Sequence, residues 1–140
     1  MDSEPVPNNG LTCNGKPRTY GLRLSTLDAC VLVVAIVATI CSWSLTAGWS
    51  ALLLFVVLHF FLFCNVFRIR RKPELIWAAT FLVNCYLWVY LGSASVAGIA
   101  LSQVVVTILI LTYEIRLPYY HGILARAINP RLDDYLAGRV

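Results

Sequence analysis

Residues 49–73 read WSALLLFVVLHFFLFCNVFRIRRKP. The run from Trp49 to Phe67 is almost wholly apolar, with His59 as the only polar residue in its middle. Arg68, Arg70, Arg71 and Lys72 then crowd into five positions. A bilayer core of about 30 Å needs roughly 20 helical residues at about 1.5 Å each. The stretch therefore predicts a membrane span that ends in a cationic loop, and such loops stay on the cytoplasmic side.

Upstream, residues 27–47 form a second apolar run, read as a retained helix and not as a cleaved leader. Only Gly48 and its neighbours separate it from the span at 49–67, so the two make an antiparallel hairpin. Downstream, Pro73 suits a first helical position, where its missing N–H costs nothing, and Glu74 complements the positive end of the helix. A third span follows at 75–91, Gly92 to Ser95 make a tight turn, and a fourth span covers 96–115 before Pro118. Residues 1–26 are polar and rich in Pro, Asn and Gly, and read as a flexible cytoplasmic tail. Residues 116–140 read as a cytoplasmic or interfacial segment with a short final helix, in which Asn129 caps, Pro130 starts and Gly138 stops. The expected fold is thus an all-α membrane protein with four transmembrane helices in an up-down-up-down bundle. Both termini are cytoplasmic.

Composition supports this. Hydrophobic residues make up 59% of the 140 residues and charged residues 13%, with mean hydropathy +0.75. A soluble domain is nearer half apolar and a quarter charged. All eleven Lys and Arg residues fall in the tail, the middle loop and the C-terminal segment, which a four-span chain places on one side. The two hairpin tips hold none. A net charge of +4 is thereby explained by topology and needs no nucleic-acid partner. Trp43, Trp49, Trp88 and Tyr90 cluster at the outer end, as an interfacial belt does. The predicted location is the cell (inner) membrane, multi-pass.

Helices in lipid associate through close packing and interhelical hydrogen bonds. Ala35, Ala38, Ser42 and Thr46 offer a small-residue seam on the first span, and Ala94, Gly98 and Ser102 one on the fourth. The second span has no seam, which points to a helix facing lipid or a partner chain.

Several polar residues stand out against this background. His59, Asn84 and Gln103 lie about 12–15 Å deep on three different spans, near the centre of the core. Each would be costly alone in hydrocarbon, so they are expected to meet as a midplane cluster. Gln103, Thr107 and Glu114 share one stripe of the fourth span by 3.6-residue periodicity. Glu114 is expected to pair with an arginine of the middle loop or with Arg116. Arg68, Arg70, Arg71 and Lys72 serve topology and can attract anionic headgroups, each contributing about 1 kcal/mol near the surface. His121, with Tyr119 and Tyr120, reads as an interfacial anchor.

The chemistry-bearing motifs are few. Cys13, Cys30, Cys41, Cys64 and Cys85 show no C-x-x-C or zinc spacing and are expected to be free thiols. A haem held by two histidines is not expected within one chain, because His121 lies outside the spans. Small multidrug transporters carry a mid-membrane Glu in their first helix, where this chain has Val34-Ala35-Ile36-Val37. Quinone-linked disulfide formers need a C-x-x-C pair, and glutathione-linked membrane enzymes carry Arg-bearing inner helices; this chain has neither. No nucleophile–base pair, metal site, cofactor motif or phosphate loop is evident, so a non-enzymatic structural or accessory role through helix contacts is the leading expectation. Its partners are membrane lipids and another membrane protein or a second copy. A small oligomeric transporter using His59, Asn84 and Gln103 is the alternative, and a membrane redox or haem protein the second.

Overall fold

A computed structural model describes residues 17–139. These residues are helical, with no strand among them, in the order α1 (Thr26–Ser42), α2 (Ala51–Phe61), a π-helical turn (Leu62–Val66), α3 (Arg71–Tyr90), α4 (Val96–Ile115), α5 (Ala125–Ile128) and α6 (Leu132–Leu136). Among them, α4 is the one helix long and apolar enough to cross a membrane by length and composition, while α1 and the α2–π unit are shorter apolar helices.

Local chemistry explains the boundaries. Ser25 and Asp28 form a reciprocal capping box that starts α1: Asp28 N donates to Ser25 Oγ at 3.4 Å and Ser25 N to Asp28 Oδ2 at 3.1 Å. The link between α1 and α2 is longer than the near-single residue expected. It runs from Trp43 to Ser50 as successive turns, with Ala47 and Gly48 both at positive φ (48° and 86°). The first helix ends at Ser42, five residues before the expected 47, and the left-handed pair turns the chain back toward α2. Helix α3 begins at Arg71, before the expected 75, so Pro73 is its third residue. The first-turn N–H groups have no intrahelical acceptor, so proline is harmless there too. Ser95 Oγ accepts from Gly98 N at 3.2 Å and caps α4.

Helix α1 packs on α2, α3 packs on α4, and α2 joins the two pairs through α4. The second helix is therefore the central one, contrary to the expectation that its lack of small residues leaves it outside. Aromatic side chains replace the seam: Phe55, His59, Phe60 and Phe63 all approach Trp77 of α3. Helix α1 is the peripheral one, with Val31, Val33, Val34, Ile36, Val37 and Ile40 exposed. Its buried seam, Ala35 and Thr39, meets the start of α2, where Ser50 Oγ donates to Thr39 O at 3.1 Å.

Residues 1–16 of the expected tail lie outside the described residues. Residues 17–25 are not a free tail. They form a strap across the end of the bundle, with Gly21 N donating to His121 O and Arg23 N to Asn65 O, both at 2.9 Å. The sequence offers no apolar periodicity there because hydrogen bonds to backbone carbonyls, from backbone N–H groups and from the Arg18 and Arg68 side chains, carry the attachment. The final helix is split: Asn129 sits between α5 and α6, and Gly138 ends α6 at φ 75°.

Burial runs opposite to that of a soluble domain. The buried apolar residues are Ala35, Phe63, Trp77, Ile99, Tyr120, Ala125 and Leu132, whereas the buried polar ones are Thr39, Ser50, His59, Asn65, Gln103, Thr107, Glu114 and Asn129. Long runs of Leu, Ile and Val face outward on α1, α3 and α4.

Candidate functional site

Trp77 is the hub of the interior, with 0% of its surface exposed. Its ring lies parallel to Phe81 one turn on, centroids 5.5 Å apart, and stacks on His59 at 4.8 Å. A deeply buried indole must place its N–H, and Trp77 Nε1 donates to Thr107 Oγ1 at 2.9 Å. Thr107 Oγ1 donates in turn to Gln103 O at 3.0 Å. Gln103, 1% exposed, donates through Nε2 to Trp77 O and to Thr80 Oγ1, both at 3.1 Å. The α3–α4 contact is thus a closed polar circuit inside an apolar shell.

Asn84 and Gln103 meet: Asn84 Nδ2 lies 3.4 Å from Gln103 Oε1 and donates to Ile99 O at 3.0 Å. Asn84 Nδ2 and Oδ1 also lie 2.9 and 3.0 Å from Ser102 Oγ. His59 does not join them directly. It is 8% exposed, held between Phe55 (ring centroids 4.1 Å apart) and Trp77, with Nδ1 2.8 Å from Phe55 O. A carbonyl only accepts, so Nδ1 carries a proton and donates it to Phe55 O. Trp77 bridges His59 to the amide cluster. The other tryptophans sit at helix ends, and the one mark of this role in the sequence is the four-residue spacing of Trp77 from Phe81 inside an apolar run.

The stripe on α4 is buried along its length, with Gln103, Thr107 and Glu114 all facing inward. Glu114, 4% exposed, pairs with Arg70 of the middle loop: Nη2 donates to Oε1 at 2.8 Å, and Arg70 Nε and backbone N approach Oε2 at 3.4 Å. The hydrogen bond that Arg70 donates to Glu114 raises the Arg70 pKa. Arg116 is not the partner. Arg71 and Lys72 are exposed on the first turn of α3.

Arg68 stands apart from its basic neighbours. It is half-buried, sits at φ 50°, and donates through Nη1 to Thr19 O at 2.9 Å and Thr19 Oγ1 at 3.3 Å. Burial lowers its pKa, with Tyr135 opposing and Arg23 adding to the fall. His121 stacks on Tyr135 with centroids 4.5 Å apart, and its Nδ1 lies 2.8 Å from Tyr119 O. The two histidines therefore belong to separate clusters. Asn129, also unforeseen as a site residue, donates to Pro118 O at 2.8 Å and Tyr120 O at 2.7 Å and fixes the segment after α4. Asn65, with its amide nitrogen toward two acceptors, lies 3.2 Å from Asp28 Oδ2 and 3.1 Å from Arg23 O. Cys30, Cys41, Cys64 and Cys85 are free thiols; Cys13 lies outside the described residues.

No family model, curated protein or solved structure matches this chain. Among the described residues no group of three His, Cys, Asp or Glu side chains converges as a metal site would require.

Proposed function

We propose that this chain is a four-span protein of the cell (inner) membrane, with both termini cytoplasmic, acting without catalysis as an accessory subunit that docks another membrane helix. The observation that carries the reading is the inverted burial: polar side chains satisfy one another inside while branched aliphatic ones face out. In water such a surface would aggregate; in lipid it is solvated, and buried polar contacts hold the helices together. Helices α1 and α2 are short for a bilayer core, but the Trp43–Ser50 turns and the π-helical turn extend them. The positive side chains gather at one end. Arg18 and Arg68 meet the strap and the α6 region, Arg70 meets the end of α4, and Arg126 lies over Tyr20. This is the arrangement the positive-inside rule calls for.

The docking surface is the groove between α3 and α4. It has a volume of about 370 Å³ and is lined by Ala79, Val83, Leu87 and Val106 with Thr80, Asn84, Ser102 and Gln103. Ser102 is exposed among apolar neighbours. A hydroxyl and an amide at the lipid-facing edge of a span favour a second helix that can share their hydrogen bonds.

Reporter fusions at residues 1 and 140 and in the loop at 70–73 should read cytoplasm, and fusions near Gly48 and Ser93 the outer side. An outer-side signal from either terminus overturns the four-span topology. Val83→Cys in a background lacking the native cysteines should crosslink, in intact membranes, to a second copy or to a co-purifying membrane protein. A product containing only the monomer overturns the docking role. Reconstituted vesicles that pass protons only when His59 is intact would favour the transporter reading instead.

A further inference from the structure

A second enclosed space lies at the basic end, apart from the α3–α4 groove. It measures about 180 Å³ and is bounded by Arg68, Arg70 and Glu114, by the rings of Tyr119, Tyr120, His121 and Tyr135, and by Ile69 and Leu117. Drug-sized sites run to about 300–1,000 Å³, so this one suits a single small group. Its charges do not cancel. Glu114 is committed to Arg70. Arg68 has no carboxylate partner among the described residues; its hydrogen bonds run from Nη1 alone, to Thr19.

A guanidinium has five N–H donors in a rigid fork, so Arg68 keeps Nε and Nη2 uncommitted beside the cavity. Three structural features hold it there. The backbone at Arg68 is left-handed, a conformation most side chains avoid. Ile69 N donates to Phe63 O at 2.9 Å and pins the loop. Gly122 lets the opposite wall come close, because a Cβ there would lie 2.3 Å from Phe67 O. The phenols of Tyr119 and Tyr135 and the ring of His121 complete a wall that can donate or accept hydrogen bonds. Tyr120 is not free to do so, since its hydroxyl donates to Ile123 O at 2.8 Å.

We infer that this cavity binds one phosphate group, gripped by the free edge of Arg68 and flanked by His121, Tyr119 and Tyr135. Arginine forks match phosphate oxygens two at a time, and such charge-assisted bonds are the strong ones. Both an anionic lipid headgroup and a free phosphate present this chemistry. The inference does not depend on the α3–α4 docking surface.

The test uses the full chain in nonionic micelles, titrated with inorganic phosphate and, separately, with phosphatidylglycerol or an equally charged fatty acid. Binding of inorganic phosphate assigns a soluble ligand. Binding of phosphatidylglycerol but neither inorganic phosphate nor fatty acid assigns a headgroup. Arg68→Gln should weaken whichever binds by about tenfold or more, as expected for losing a charge-assisted contact, while Arg71→Gln on the exposed surface should change it by roughly twofold or less. Equal losses in the two variants, equal binding of fatty acid and phosphatidylglycerol, or no binding of either phosphate probe overturns the inference. If Arg68→Gln does not fold, the wild-type chain still decides. It has only two histidines, and the His121 ring resonances should move with the phosphate probe while those of His59 stay fixed. No movement of His121 overturns the site.

Discussion

Trp77 and Thr107 are joined by a single hydrogen bond, Nε1 to Oγ1 at 2.9 Å, and that bond links the aromatic half of the interior to its amide half. On one side of it, Trp77 stacks with His59 and Phe81; on the other, Thr107 donates to Gln103 O. Three helices depend on it, because His59 lies on α2, Trp77 on α3 and Thr107 on α4.

Thr107→Val removes the acceptor and leaves the indole N–H buried without a partner, which should cost about 1–3 kcal/mol. Thr107→Ser keeps the hydroxyl and should lose less. The double variant Thr107→Val with Trp77→Phe removes both partners, so its loss should be smaller than the sum of the single losses. Denaturant titration in mixed micelles reads the wild type, Thr107→Val, Thr107→Ser, Trp77→Phe and the double variant; strict additivity would show that the bond contributes no coupling.

At His59 the stack matters more than the proton. His59→Phe keeps a flat ring between Phe55 and Trp77 and should cost under about 1.5 kcal/mol. His59→Ala opens a cavity against Trp77 and should cost about 2–4 kcal/mol. A His59→Phe protein as unstable as His59→Ala would mean that the bond to Phe55 O, and not the ring contact, holds this position.

The Arg70–Glu114 pair is asymmetric, with half of the Arg70 side chain exposed and only 5% of Glu114. Arg70→Ala strands a buried carboxylate, a loss of about 3–5 kcal/mol for a fully buried pair and less here because water reaches the arginine. Glu114→Gln leaves an arginine that solvent can satisfy and should cost under about 1 kcal/mol. Thermal unfolding of the two variants should rank them in that order; the reverse order would remove Glu114 from the role of buried partner.

Gly122 and Gly98 both sit where a Cβ would collide, but with different neighbours. At Gly122 the obstacle is the Phe67 backbone at 2.3 Å, and at Gly98 it is the Trp88 ring at 2.4 Å. A ring can turn and a carbonyl in a pinned loop cannot. Gly122→Ala should therefore lose about 1–3 kcal/mol or more by overpacking, and Gly98→Ala less, with a shift in Trp88 fluorescence. Equal effects would show that the loop at Phe67 yields as easily as a side chain.

The pKa of His121 is lowered, chiefly by burial and also by Arg68 and Arg18, against the raising effect of Tyr119 O. Above its ordinary value of about 6.5 neither the folded nor the unfolded chain holds the proton, and the full stability is present. As pH falls through 6.5 toward the lower folded value, the unfolded chain takes up the proton first and stability declines. Between about pH 7.5 and about pH 5 the wild-type protein should lose more stability than His121→Gln. Equal losses would remove His121 as the source.

The apolar runs, the turn at Gly92 and the stripe on α4 were legible because periodicity and hydropathy report them directly. The Arg70–Glu114 pair was legible as well, since a buried carboxylate beside a cationic loop has few other partners. Asn84 and Gln103 could be matched by depth alone. His59 could not be placed, because depth says nothing of rotation and Trp77 occupies the space between. The length of the Trp43–Ser50 link was hidden because Ala47 in a left-handed conformation leaves no mark in composition. The strap at 17–25 was hidden for a related reason: its attachments are hydrogen bonds to backbone carbonyls, given by backbone N–H groups or by Arg18 and Arg68, and they leave no apolar pattern.

That strap has a consequence for how the protein is made. Gly21 pairs with His121 and Arg18 with Tyr135, so the first part of this segment is held by partners made about a hundred residues later, while Arg23 and Thr19 have partners, Asn65 and Arg68, made midway. During synthesis, the contacts of Arg18 and Gly21 wait until the chain beyond α4 has emerged and Asn129 has set its course. The strap is thus a seal that closes only after residues 121 and 135 are in place. Ribosome-bound chains halted before residue 117 should be cut near Arg18 by added trypsin, and the 140-residue chain should resist.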